Sequence, residues 1–103
     1  MASPAEKQAA QPSLMAHWGN QIRAAVERRK HYPAGTRSRG TVVLSIAVST
    51  GGVLSSVAVT RSTGDRLLDQ AALSAVKRAR FARAPGGIPH GVHRFSLPVT
   101  FAP

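Results

Sequence analysis

The sequence predicts an α+β domain, a two-layer sandwich with two helices on one face of a three-stranded antiparallel sheet. Three observations carry this. Apolar residues recur at helical spacing in two separate segments and at period two in three others. The segments follow one another as α-β-β-α-β. A proline, Pro98, sits inside the last extended segment, which places that strand at an edge of the sheet.

The first helix begins at Ser13, where Leu14, Trp18, Ile22 and Val26 form a stripe joined by Met15 and Ala25. Ser13 is the expected N-cap, and Arg23 and Glu27 are spaced as an i,i+4 ion pair. The basic run Arg28-Arg29-Lys30 suits the negative end of the helix dipole, and Pro33 disfavours helical geometry at Tyr32. Met1 to Pro12 reads as a flexible linker or tail, leaving 13–103 as the folded domain.

The first strand alternates Val42, Leu44, Ile46 and Val48 with Val43, Ser45, Ala47 and Ser49. Thr50-Gly51-Gly52 is a tight-turn signal that joins it to a second strand carrying Val53, Val57 and Val59 on one parity. Leu54 is off that phase, which predicts a bulge near Val53 and Leu54. Asp65 caps the second helix, whose stripe is Leu68, Ala72, Val76 and Ala79, widened by Leu73 and Ala75. Pro85-Gly86-Gly87 and Pro89 mark a loop within 82–91, and Phe95, Leu97, Val99 and Phe101 form the third strand.

Strand three can run antiparallel to a neighbour only beside strand one, which gives the order 2-1-3. A proline without an N–H belongs on the unpaired side of its strand. Phe95, Leu97, Val99 and Phe101 therefore bond to strand one. Arg94, Ser96 and Thr100 offer backbone groups outward, and Pro98 offers only its carbonyl.

The chain carries 14 Lys and Arg against 4 Asp and Glu, a formal charge of +10 on 103 residues. That balance favours anionic surroundings of any kind and says nothing about fold. There is no cysteine, which excludes disulfides, thiol nucleophiles and thiolate-bound zinc. No apolar run approaches the roughly 18 residues that would span a bilayer. An address to another compartment would lie on a segment outside this sequence.

Several pieces together resemble the C-terminal domain of TonB-type energy transducers. They are Tyr32-Pro33, Gly40-Thr41-Val42-Val43-Leu44, Gly52-Val53, Arg61-Ser62-Thr63-Gly64, Leu68-Asp69-Gln70-Ala71-Ala72-Leu73, Val76-Lys77-Arg78-Ala79 and Leu97-Pro98-Val99-Thr100-Phe101. The likeness covers about Trp18 to Phe101, and its most specific part is SxG followed by LDxAAL. It implies a non-catalytic periplasmic domain that grips the TonB box of an outer-membrane transporter for siderophore-iron, haem or cobalamin. It also implies an inner-membrane anchor on an absent N-terminal segment, engaging an ExbB–ExbD-type motor.

The first candidate for partner binding is the third-strand edge, with Val92, Arg94, Ser96, Pro98 and Thr100, to which an extended peptide can add. Tyr32 and Pro33 are the second candidate; the structural alternative is a helix stop with Tyr32 packed on the core. Trp18, in phase with Leu14 and Ile22, reads as a core anchor. A free edge also allows a truncated chain to pair with itself as a homodimer.

No metal site, cofactor site or catalytic residue is expected. His90 and His93 lie on a Gly/Pro loop without a nearby carboxylate or thiol. The only acids are Glu6, Glu27, Asp65 and Asp69, and no nucleophile elbow, phosphate loop or carboxylate pair is present. The alternative reading is a small basic RNA-binding module. It rests on six basic and no acidic residues between Arg28 and Gly64, and on five and none from Gln70 to Pro103. Trp18, Phe95 and Phe101 fall on apolar faces, so the exposed aromatic pair of an RRM-type platform is missing, no GXXG loop joins two helices, and no nucleic acid is expected as partner.

Overall fold

In a computed structural model, which describes residues 4–103 and their side chains from residue 13 onward, the chain runs α1 (Pro4–Arg29), β1 (Gly40–Ser49), β2 (Leu54–Arg61), α2 (Arg66–Arg78) and β3 (Val92–Phe101). The sheet is antiparallel in the order β2-β1-β3, as the alternation and Pro98 require. Val42, Leu44, Ile46 and Val48 of β1 form the floor of the core, with Leu97, Val99 and Phe101 of β3 beside them. Trp18, Ile22 and Val26 of α1 and Leu68, Ala72, Ala75 and Val76 of α2 close it from one side. Among the described residues no helix is long and apolar enough to cross a membrane.

One boundary and one ion pair differ from the sequence reading. Helix α1 starts upstream of Ser13, the expected cap, and Pro12 lies inside it. Residues 5–11 are Ala, Glu, Lys and Gln, all strong helix formers, and Pro4 occupies a first helical position where its missing N–H costs nothing. Of the expected tail over 1–12, Met1 to Ser3 lie outside the described residues. The expected Arg23–Glu27 pair is replaced by a Glu27–Lys30 salt bridge of 2.9 Å.

Strand β2 carries two bulges. Leu44 faces Val59 while Val43 faces Arg61, so Thr60 is extra; Val48 faces Leu54 while Ala47 faces Ser56, so Ser55 is extra. The second bulge resolves the phase problem in the sequence. By absorbing Ser55 it brings Leu54 onto the same face as Val57 and Val59, where all three pack against the core. Val53, expected to share that face, is 65% exposed.

The turn between β2 and α2 is locked by carboxylates. Asp65 caps α2 by accepting from the Leu67 N–H at 2.8 Å, and its other oxygen accepts from the Thr36 hydroxyl, which ties down the 34–39 loop. Asp69 reaches back one turn to accept from the Ser62 hydroxyl, the Thr63 N–H at 3.0 Å and the Thr63 hydroxyl at 2.8 Å. The SxG–LDxAAL spacing is therefore the covalent frame of a hydrogen-bonded turn. The Thr36 hydroxyl, followed by the Leu67 N–H, holds Asp65 below its ordinary 3.8. For Asp69 desolvation is the largest influence and pushes upward, but the bonds from Ser62 and Thr63 together outweigh it and the net shift is down.

The long loop after α2 is stitched to the β1–β2 turn. Ala84 N–H donates to Thr50 O at 2.9 Å, and Gly52 holds φ +86° with the Phe81 carbonyl so close that a Cβ would sit 2.6 Å from it. Only glycine fits both demands.

Candidate functional site

β1 pairs with β3 in unbroken register from Gly40 opposite Phe101 to Ser49 opposite Val92. Which backbone groups of β3 face outward follows from two hydrogen bonds at its ends. Thr50 N–H donates to Gly91 O at 2.9 Å, which puts Gly91 in the phase that bonds to the β1 side. Stepping by two, His93, Phe95, Leu97, Val99 and Phe101 share that phase. At the far end the Thr100 carbonyl accepts from Lys30 Nζ at 2.7 Å, a bond available only to a group pointing off the sheet. Val92, Arg94, Ser96, Pro98 and Thr100 thus present their backbone groups to the outer edge, and the side chains of all five are exposed.

The edge is not uniform. Val92, Arg94 and Ser96 each offer an N–H and a C=O. Pro98 offers a carbonyl alone, and the Thr100 carbonyl is already satisfied by Lys30. That lysine is held by Glu27 and lies 5.7 Å over the Phe101 ring, so it closes the C-terminal end of the edge. Sequence reading assigned Lys30 to the helix dipole; its contact across 70 residues has no local signal.

Beside the open part of the edge runs a groove of ≈ 420 Å³ between α1 and β3. Met15, Ala16, Gly19, Asn20 and Arg23 line one wall, and Arg94 to Leu97 the other. Trp18 sets the distance between the walls. It is fully buried, its ring meets Phe95 edge-on at 5.1 Å and His93 at 5.8 Å, and its Nε1–H donates to Ala82 O at 3.1 Å. The core-anchor reading of Trp18 agrees with this geometry. Among the described residues neither Arg23 nor Arg94 forms an ion pair.

Tyr32 and Pro33 follow the C-terminal end of α1, and Pro33 lies beside Ala71, Ser74 and Arg78 of α2. Tyr32 is half-buried against the core and its hydroxyl donates to Ser38 O at 2.8 Å, closing the 32–38 loop. His93 is similarly engaged, donating from Nε2 to Pro89 O at 2.7 Å. Among the described residues no three His, Cys, Asp or Glu side chains gather where they could hold a metal ion.

The sheet face opposite the helices carries Ser45, Ser56, Ala58, Arg94, Ser96 and Thr100. Trp18 and Phe101 are buried, and Tyr32, Phe81 and Phe95 are half-buried against the core, so among the described residues no aromatic ring stands on the open face.

The model of the Gram-negative bacterial TonB protein C-terminal family matches residues 28–103. The chain belongs to the TonB C-terminal family. Protein TonB of Pasteurella multocida is 36% identical over 84 residues, and Protein TonB of Haemophilus influenzae 38% over 81 residues. These matches cover 78% and 75% of this chain but 32% and 30% of the relatives, so the domain spans about a third of their length. In fold it is similar to the TonB-CTD of Helicobacter pylori, with a TM-score of 0.70 at 24% identity over 99% of this chain and 95% of that one. It is also similar to TolAIII bound to a peptide from the N-terminus of TolB, with a TM-score of 0.61 at 21% identity over 84% and 72%. The family is non-catalytic.

Proposed function

We propose that the domain binds an extended segment, the TonB box, of an outer-membrane transporter by adding it as a strand to the outer edge of β3. The observation that carries this is the contrast between the two sheet edges. β2 is broken by bulges at Ser55 and Thr60, which twist an edge and interrupt its ladder. β3 runs for ten residues in regular register and keeps the backbone groups of Val92, Arg94 and Ser96 open beside a groove. Main-chain hydrogen bonds supply affinity for varied sequences, and alternate side chains in the groove tune preference. The TolAIII structure, similar in fold, is of a peptide complex, which supports peptide capture as a use of this architecture.

In this reading the domain works in the periplasm as the force-bearing end of an anchored transducer. An ExbB–ExbD-type motor acts on the part of the protein that precedes it, and load enters through α1 and leaves along β3. Siderophore-iron, haem and cobalamin are the cargo classes. Two copies can pair through the same edge when no partner occupies it.

The test is a titration of the isotope-labelled domain with TonB-box peptides and, separately, with single- and double-stranded oligonucleotides across a salt series. Peptide-induced shifts centred on Val92 to Ser96 and spreading to Thr100 are expected, with oligonucleotide binding weak and steeply salt-dependent. Base-selective RNA binding with no peptide response would overturn the proposal.

A further inference from the structure

Gly19 lies in the interior of α1, where glycine is the weakest helix former after proline. Two ordinary reasons for glycine are absent. Its φ is not positive, so its backbone is open to any residue. A Cβ at this position would lie 3.5 and 3.6 Å from ring carbons of Phe95, which is ordinary van der Waals contact. By these measures alanine would serve the free domain better.

The place of Gly19 supplies a different reason. It lies on the α1 wall of the groove, directly above Phe95 and beside Met15 and Ala16. A strand added outside β3 continues the rows of the sheet, so every second side chain points to the helix side, level with His93, Phe95 or Leu97. The side chain level with Phe95 rises under α1 at Gly19. In an antiparallel addition this is a non-hydrogen-bonded position, where facing side chains approach most closely.

We infer that Gly19 is a specificity-determining residue, whose missing Cβ admits a bulky apolar side chain of the incoming strand against the Phe95 ring. The inference rests on the strand-addition reading and adds to it the size and polarity of one partner position. The apolar preference follows from the neighbours: Met15 and Phe95 are both half-buried against the core, and Leu97 is buried. The occupant is the extended transporter segment, because the groove and the outward-facing groups of Val92 to Ser96 are one continuous surface.

The experiment uses the domain and its Gly19→Ala variant, with Gly19→Ser as a second carrier of a Cβ, and a panel of TonB-box peptides in which each side chain is trimmed to glycine in turn. Gly19→Ala is expected to raise the melting temperature by roughly 3–6 °C, from helix propensity alone. It is expected to weaken the parent peptide about tenfold, as overpacking of a filled site does. Trimming one peptide position should lower affinity for the natural domain and restore most of the loss for Gly19→Ala. If the natural domain binds the parent peptide and Gly19→Ala binds it equally well, the inference fails while strand addition stands. A lower melting temperature for both variants would show that the fold itself needs glycine and would also overturn the inference. If the natural domain binds none of the peptides, both readings fall together.

Discussion

Replacing Trp18 tests how the groove is built. The side chain is fully buried, touches Phe95 and His93 edge-on, and donates to the Ala82 carbonyl. Truncating a buried tryptophan to alanine costs about 3–5 kcal/mol in lost transfer energy and cavity. A domain of this length has roughly 5–15 kcal/mol in total, so Trp18→Ala should be at the margin of folding. Trp18→Phe separates the contributions. The Ala82 carbonyl lies in an exposed loop residue and can turn to water, so losing the indole N–H costs about 0.5–1 kcal/mol. The smaller ring adds about 1 kcal/mol, for a total near 2 kcal/mol. A double-mutant cycle with Phe95→Ala should return a coupling of about 0.5–1.5 kcal/mol for the aromatic pair. Urea unfolding followed by far-UV circular dichroism is the assay, because the chain has one tryptophan and the variants remove its fluorescence. A Trp18→Ala variant within about 1 kcal/mol of the natural domain would refute the docking of α1 against β3 and, with it, the groove.

Three further outcomes are expected. Asp65 and Asp69 have folded pKa values below the ordinary 3.8, so their charged forms contribute stability that is fully present above that value and lost as pH falls through the folded values. The melting temperature should therefore hold on the neutral side and drop steeply below 3.8, and Asp69→Asn should flatten the drop; an unchanged acid limb in that variant would contradict the role given to the turn. Gly52→Ala forces a side chain into the left-handed region and against the Phe81 carbonyl, for a loss of about 1–3 kcal/mol by thermal unfolding; no loss would mean the loop after α2 is not stitched to the turn. Ser96→Pro should leave the fold nearly intact, because the Ser96 N–H faces outward as the nitrogen of Pro98 does, and should weaken peptide binding about fivefold through one lost hydrogen bond. Gross unfolding would show that the two sides of β3 are reversed.

The order of the sheet was legible because its signals are local. Period-two alternation marks each strand, the Gly51-Gly52 turn pairs the first two, and a proline missing its N–H can stand only on an outer edge. The same logic put Arg94, Ser96, Pro98 and Thr100 on the outward phase. What escaped depends on partners distant in sequence. The bulge at Thr60 has no trace in β2 and exists only in its register with Val43 and Leu44. Lys30 has the local look of a dipole-compensating residue, yet it reaches the Thr100 carbonyl and shortens the usable edge. The start of α1 was missed for another reason. Residues 5–11 have helix propensity without an apolar stripe in the sequence, so hydrophobic periodicity gives no signal there. Asp69 sits in the first turn of α2, where the dipole favours an acid, but it is the bonds back to Ser62 and Thr63 that account for the spacing of the motif.

Strand addition has one signature that no other mode of binding shares, an alternation of protection along β3. In the free domain the amides of His93, Phe95 and Leu97 should exchange slowly with solvent, and those of Val92, Arg94 and Ser96 quickly. On adding a TonB-box peptide the second set should slow while the first set and the amides of β2 stay as they were. Unchanged exchange at Val92, Arg94 and Ser96 under saturating peptide, or new protection along β2 instead, would contradict the assignment of the β3 edge as the site of capture.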